Sequence, residues 1–165
     1  MEKIRLGRTR LMVSRSGFGA IPIQRLDKND AGRLLRKAYE SGINFFDTSR
    51  SYTDSEEKIG LALADVRGEI LLATKNKGTD RQKVLELLET SLKNLKTDYV
   101  DLLQLHNLKA HLNPDDPDGP YRGLLAAREK GMARFIGMTT HRRDVAVEAA
   151  SSGLYDTVQF PLCMI

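Results

Sequence analysis

The 165 residues contain one cysteine and no tryptophan. The lone cysteine, Cys163, leaves no internal disulfide to form, so an intracellular, reducing setting is the simplest reading and a cytoplasmic protein is expected. No apolar run approaches the roughly 20 residues that a membrane-spanning helix needs. The opening stretch, MEKIRLGRTRLMVS, has no segment apolar enough for a secretory signal. Neither charge sign dominates: 26 basic residues against 22 acidic ones give a net charge of +4. The basic residues are spread along the chain, densest in RLLRK (33–37) and HRR (141–143). A nucleic-acid binder usually shows a concentrated basic stripe with interleaved aromatics, so these patches read first as solvated helix faces. Attraction of a small anionic molecule is the weaker alternative. Three histidines without paired-ligand spacing give no support to a metal centre. The phosphate-cradling G-x-x-x-x-G-K-[ST] pattern is absent, and the nearest approach to G-x-G-x-x-G is Gly17-Phe18-Gly19, with Pro22 where the third glycine would fall.

What the chain does have is a rhythm. At 41% hydrophobic and 29% charged it has the composition of a globular domain, and residues 1–165 are read as one domain. Short apolar runs alternate with amphipathic stretches. INFF (43–46), EILLA (69–73), YVDLLQL (99–105), ARFIGM (133–138) and DTVQF (156–160) read as strands, with SGFG (16–19) as an earlier short one. Runs this continuously apolar suit a parallel sheet buried on both faces. Between them, Asp80 can cap a helix whose stripe is Val84, Leu87, Leu88, Ser91, Leu92 and Leu95. Asp54 with Glu57 suggests a capping-box-like start, followed by Ile59, Ala62, Leu63 and Val66. Asp30 reads as the cap of a helix lined by Ala31, Leu34, Leu35, Ala38 and Tyr39, ended by a left-handed Gly42. Gly153 ends a helix in RDVAVEAASS the same way, and a further helix runs from about 121 to 130. NLKAHLNPDDPDGP (107–120) is a long loop, and the first residues form a hairpin about Gly7 and Arg8. Hairpin followed by repeated strand and helix is an α/β pattern, compatible with an open doubly wound sheet or a (β/α)8 barrel.

In a barrel, reactive groups sit at the C-terminal strand ends. Those positions hold Asp47, with Tyr52 five residues on; Thr74 and Lys75; His106 and Asn107; Thr139, Thr140 and His141; and Gln159. Singly, each has an ordinary structural explanation. Together, at matching places in three consecutive units, Asp47, Tyr52, Lys75 and His106 form a chemically coherent set. A tyrosine hydroxyl titrates near 10. A neighbouring ammonium is expected to lower that value, a carboxylate to hold the ammonium, and a histidine to hydrogen-bond a substrate oxygen. Such a group protonates an oxyanion, the species formed when hydride reaches a carbonyl.

Four segments at these positions resemble the aldo-keto reductases: FDTSRSYTDSEEKIGLAL, LLATK, SLKNLKTDYVDLLQLH and GMARFIGMTTH, the third being the most specific. The resemblance runs from about Leu6 to the last residue. It implies a (β/α)8 barrel preceded by a β-hairpin, and a reductase for aldehydes or ketones. It also implies NADPH, or alternatively NADH, as cofactor. Tyr52 would be the proton donor, Lys75 the residue tuning it, Asp47 the partner of Lys75, and His106 the orienter of the carbonyl. Gln159 and Thr139, with Thr140 or His141 in place of an asparagine, would meet the nicotinamide carboxamide. Ser49 stands where the family often has alanine, and Thr53 where it has glycine after the tyrosine. A complete barrel takes about 250 residues. The 165 here account for about six of eight units, so the expectation is the N-terminal portion of a longer reductase. A short form that closes its exposed sheet edges on a second copy is the other possibility. The competing functional expectation is a scaffold, regulatory or inactive member of the same fold. The expected partner is a small carbonyl compound, with neither nucleic acid nor membrane.

Overall fold

The computed structural model describes residues 1–162; Cys163 lies outside the described residues. Strands β1 (Lys3–Arg5) and β2 (Met12–Ser14) form the hairpin, with Gly7 at φ +51° in its turn. Then come β3 (Phe18–Gly19), α1 (Lys28–Glu40), β4 (Phe45–Asp47), α2 (Ser55–Leu63), β5 (Leu71–Asn76) and α3 (Arg81–Leu95). They are followed by β6 (Val100–Leu105), α4 (Pro120–Glu129), β7 (Ala133–Thr139), α5 (Arg143–Ser152) and β8 (Thr157–Gln159). Strands β3 to β8 make one parallel sheet in strict chain order. A doubly wound sheet reverses direction at a switch point. This one does not, so right-handed crossovers put all its helices on one face. The sheet is curled as in a (β/α)8 barrel, and it supplies six of the strands of that architecture. Among the described residues no helix is long and apolar enough to cross a membrane.

The register divides the side chains between two faces, because lateral neighbours and residues two apart in a strand share a side. Phe46 pairs with Leu72, Leu103 with Ile136 and Leu105 with Met138. All six are buried in one core with Leu35 of α1, Ile59 of α2, Leu88 of α3 and Leu124 of α4. The other face lines the inside of the curl. There Lys75 pairs with Gln104, Gln104 with Gly137, and Thr139 with Gln159. A side chain on Gly137 would meet Thr157 Oγ1 at 2.3 Å, so the interior admits no larger residue there. The hairpin spans the bottom of the curl: Ser14 N–H donates to Asn44 Oδ1 (2.6 Å) just before β4, and Arg8 Nη2 donates to the Tyr155 carbonyl (2.9 Å) just before β8.

Several expected helix features shift. The cap of α1 is Asp27, whose carboxylate accepts from Asp30 N–H; Asp30 sits in the first turn and pairs with Arg33. The apolar stripe turns accordingly, burying Ala31, Leu35 and Ala38 while Leu34 is 44% exposed. Asp54 makes no side-chain cap on α2; it is drawn to Lys58 (2.8 Å), and Glu57 reaches Lys28. Beyond Leu63 the chain tightens into a 3-10 turn, so Val66 is outside α2. Asp80 caps α3 as expected, accepting from Lys83 N–H, and Gly42 and Gly153 adopt φ +93° and +74°.

Helix α2 meets the end of α3 at Gly60. A Cβ there would lie 2.3 Å from the Asn94 carbonyl oxygen and 2.8 Å from the Leu95 carbonyl carbon, both backbone atoms. Gly60→Ala should therefore cost roughly 2 kcal/mol of stability through overpacking. Urea unfolding measures this; an unchanged midpoint would show that the two helices separate freely.

Candidate active site

Register parity places Asp47, Lys75, His106, Thr139 and Gln159 on the inner face at the C-terminal mouth of the curl. They line one cavity of about 260 Å³, together with Tyr52, Thr140, His141, Phe160 and Pro161. Lys75 is buried, and its ammonium donates to Asp47 Oδ2 at 2.6 Å and to the Thr48 carbonyl at 2.8 Å. Burial pulls its pKa below the usual lysine value, and the Asp47 charge and hydrogen bond oppose that pull. Asp47 Oδ2 also receives the Gln159 amide at 3.4 Å, a contact between β4 and β8 that exists only because the sheet curls. Asp47 Oδ1 is buried with no hydrogen-bond partner.

Tyr52 is carried by a loop tied to the sheet behind it. Thr48 N–H donates to the Ala73 carbonyl, Arg50 N–H to Lys75 and Tyr52 N–H to Ser49. Arg50 pairs with the buried Glu56, which also accepts from Thr74 Oγ1 at 2.7 Å. Arg50 Nη2 further holds the Thr53 carbonyl, and Thr53 has φ +41°, the left-handed region that favours glycine. Tyr52 stands edge-on to His106, ring centroids 5.6 Å apart at 84°, with Lys75 Nζ 5.4 Å from the Tyr52 ring centre.

The expected lowering of the tyrosine pKa by lysine is not what the arrangement produces. Burial, and then the charge of Asp47, hold the Tyr52 hydroxyl above its ordinary value. The ammonium is spent on Asp47 and Thr48, so its field at the phenol is largely cancelled. His106 moves further. Desolvation, reinforced by Lys75, Lys77 and His141, depresses its pKa to about 4. The imidazole is thus neutral at neutral pH.

The expected carboxamide contacts divide. Gln159 is exposed at the rim, with its amide on the Asp47 carboxylate. Thr139 Oγ1 accepts from Asn107 N–H (2.8 Å) and keeps its own proton free to donate. The Thr140 hydroxyl donates to the Leu108 carbonyl (2.7 Å) and accepts from Arg142 N–H (3.0 Å), so it pins the loop after β6. His141 lines the cavity beside it. Phe160 and Pro161 were not singled out from sequence; they follow the last strand, and only its position in the sheet turns them toward Asp47. Arg50 and Glu56 were missed as well. Nothing in SEEK distinguishes the buried glutamate from the exposed one beside it.

This is a (β/α) barrel wall with a polar cluster at the C-terminal ends of its strands. Residues 15–161 match the Aldo/keto reductase family, and the chain belongs to that family. It is 33% identical over 162 residues to "Uncharacterized oxidoreductase YqkF" of Bacillus subtilis, covering 90% of this chain and 52% of that protein. Among solved structures, aldo-keto reductase AKR11C1 from Bacillus halodurans in its holo form superposes with a TM-score of 0.86 at 28% identity, over 98% of this chain and 58% of that one. Bombyx mori aldo-keto reductase AKR2E4 in complex with NADP gives 0.77 at 25% identity, over 97% and 58%. The chain spans about half the length of the curated relatives it matches.

The depressed His106 pKa has a consequence for stability. Between its ordinary value of 6.5 and about 4, the unfolded chain takes up a proton on this imidazole that the folded chain refuses. Stability must therefore fall as pH falls through that window. His106→Asn should flatten the difference in melting temperature between pH 6.5 and 4. Coincident pH profiles for the two proteins would refute the assignment.

Proposed function

We propose that the protein acts as an NAD(P)H-dependent reductase of an aldehyde or ketone, with Tyr52 as proton donor. The convergence of Asp47, Tyr52, Lys75 and His106 on one cavity at the strand ends carries this reading. Family membership and the NADP complex of the Bombyx mori relative support it. The residues present suit a nicotinamide ring: the Gln159 amide and the free Thr139 proton can meet a carboxamide, and His141 adds one donor and one acceptor. A bound dinucleotide would supply the hydride.

The chain's own groups do the rest. The neutral His106 donates a hydrogen bond to the carbonyl oxygen and orients it. As that oxygen gains charge, Tyr52 transfers its hydroxyl proton to it, completing the alcohol. An alkoxide is a much stronger base than a phenolate, so the raised Tyr52 pKa does not prevent the transfer and keeps the acid protonated at working pH. The phenolate left behind lies beside the Lys75–Asp47 pair, whose ammonium is 5.4 Å from the ring centre, until solvent restores the proton. Asp47 keeps that ammonium charged and in place.

Tyr52→Phe should lower carbonyl reduction by about 10²–10⁴-fold, the usual worth of a positioned acid. NADPH or NADH binding, followed by fluorescence titration, should be retained. Normal turnover with Phe at 52 would sink the mechanism. Failure of the unmodified protein to bind either dinucleotide would sink the enzyme reading and favour a scaffold role.

A further inference from the structure

Behind the imidazole lies a residue with no role in the mechanism above. Ser49 is 1% exposed, and its Oγ sits among three groups: His106 Nδ1 at 2.9 Å, the Lys75 carbonyl at 3.1 Å, and Ser51 N–H, which donates to it at 3.1 Å. A hydroxyl has one proton and two lone pairs. Ser51 occupies one lone pair, so the proton must go to one of the other two neighbours. If it goes to the Lys75 carbonyl, Nδ1 must carry the imidazole proton and Nε2 is bare. If it goes to Nδ1, the imidazole proton sits on Nε2.

The distances favour the second arrangement. Nδ1 is the nearer neighbour, at 2.9 Å against 3.1 Å, and the Lys75 carbonyl already accepts from Arg50 N–H at 2.8 Å, so it stays paired when Ser49 turns away. Nδ1 has no other hydrogen-bonding neighbour among the described contacts. We propose that Ser49 is a positioning residue: its hydroxyl donates to His106 Nδ1 and thereby fixes the imidazole proton on Nε2, across the ring from Ser49. That nitrogen can then donate to a carbonyl oxygen in the cavity. The consequence for turnover rests on the role given to His106 above; the tautomer itself does not.

The backbone is built to hold this pair. His106 N–H donates to the Asn76 carbonyl, and Asn107, at φ +58°, gives its N–H to Thr139 Oγ1. On the other side, Ser49 is fixed by its own loop: Ser51 N–H on its hydroxyl and Tyr52 N–H on its carbonyl. Ser49 therefore links the loop that carries the proton donor to the ring that orients the carbonyl. An alanine at this position would fill the same space and leave Nδ1 without a donor.

Nitrogen-15 NMR of histidine-labelled protein at neutral pH reads the tautomer directly, with the His106 signals assigned by their loss in His106→Asn. The unmodified protein should show His106 as the Nε2–H form. Ser49→Ala should show a mixture of the two forms. It should also reduce carbonyl turnover about tenfold, the worth of one neutral hydrogen bond, with dinucleotide affinity unchanged. An Nδ1–H imidazole in the unmodified protein overturns the proposal without any variant having to fold. So does a Ser49→Ala protein that keeps a pure Nε2–H form. Absent turnover alongside the expected tautomers would count against the reductase reading alone.

Discussion

Everything in the molecule depends on the pairing register of one parallel sheet. Side chains alternate with a period of two, so each strand offers one face to the helices and one to the inside of the curl. Phe46, Leu72, Leu103 and Ile136 take the helix side and form the core. Asp47, Lys75, His106, Thr139 and Gln159 take the other side. A slip of one residue in any strand would exchange the two sets. It would bury charges among leucines and leave the leucines in the cavity. The hydrophobic effect that fixes the core therefore also aims the polar cluster, and the two cannot be set independently.

Within that cluster the electrostatics are local and nearly balanced. The Lys75 ammonium is buried, but its charge is answered by Asp47 at 2.6 Å. The cost of desolvating the ammonium is met by a partner whose own second oxygen is left without one. A site poised in this way does not acidify Tyr52. It keeps the tyrosine protonated and His106 neutral, so both can donate hydrogen bonds into the cavity. The loop from Thr48 to Asp54 is the precision element. Its backbone is bonded to Ala73 and Lys75, and the Arg50–Glu56 pair clamps it from behind. That clamp holds Thr53 in a conformation that a β-branched residue does not choose.

Much of this was legible in the sequence, for reasons that differ by feature. The strand runs and the leucine stripe of α3 are dictated by burial, which periodicity records. Gly42 and Gly153 were legible because only a residue without Cβ enters the left-handed region freely. The caps of α1 and α2 were not. Asp27 and Asp30 both satisfy the same local chemistry, and Asp54 was claimed by Lys58 one turn along, whose ammonium is buried against the Ile23 carbonyl by the tertiary fold. The candidate site was legible as a list of residue types at strand ends. That the Thr140 hydroxyl is taken by the loop after β6, although the residue lines the cavity, depended on the register at the end of β7, which residue types do not state.

The sequence by itself determined the α/β alternation, the strands and the residue types at their C-terminal ends, because local periodicity and side-chain chemistry are properties of neighbours in the chain. Only the tertiary structure decided that the sheet runs in chain order and curls. It alone joined Gln159 to Asp47 across 112 residues and Ser49 to His106 across 57. It also decided the direction of the Tyr52 pKa, because burial and the pairing of Lys75 are set by distances through space, and the sequence of residues does not contain them.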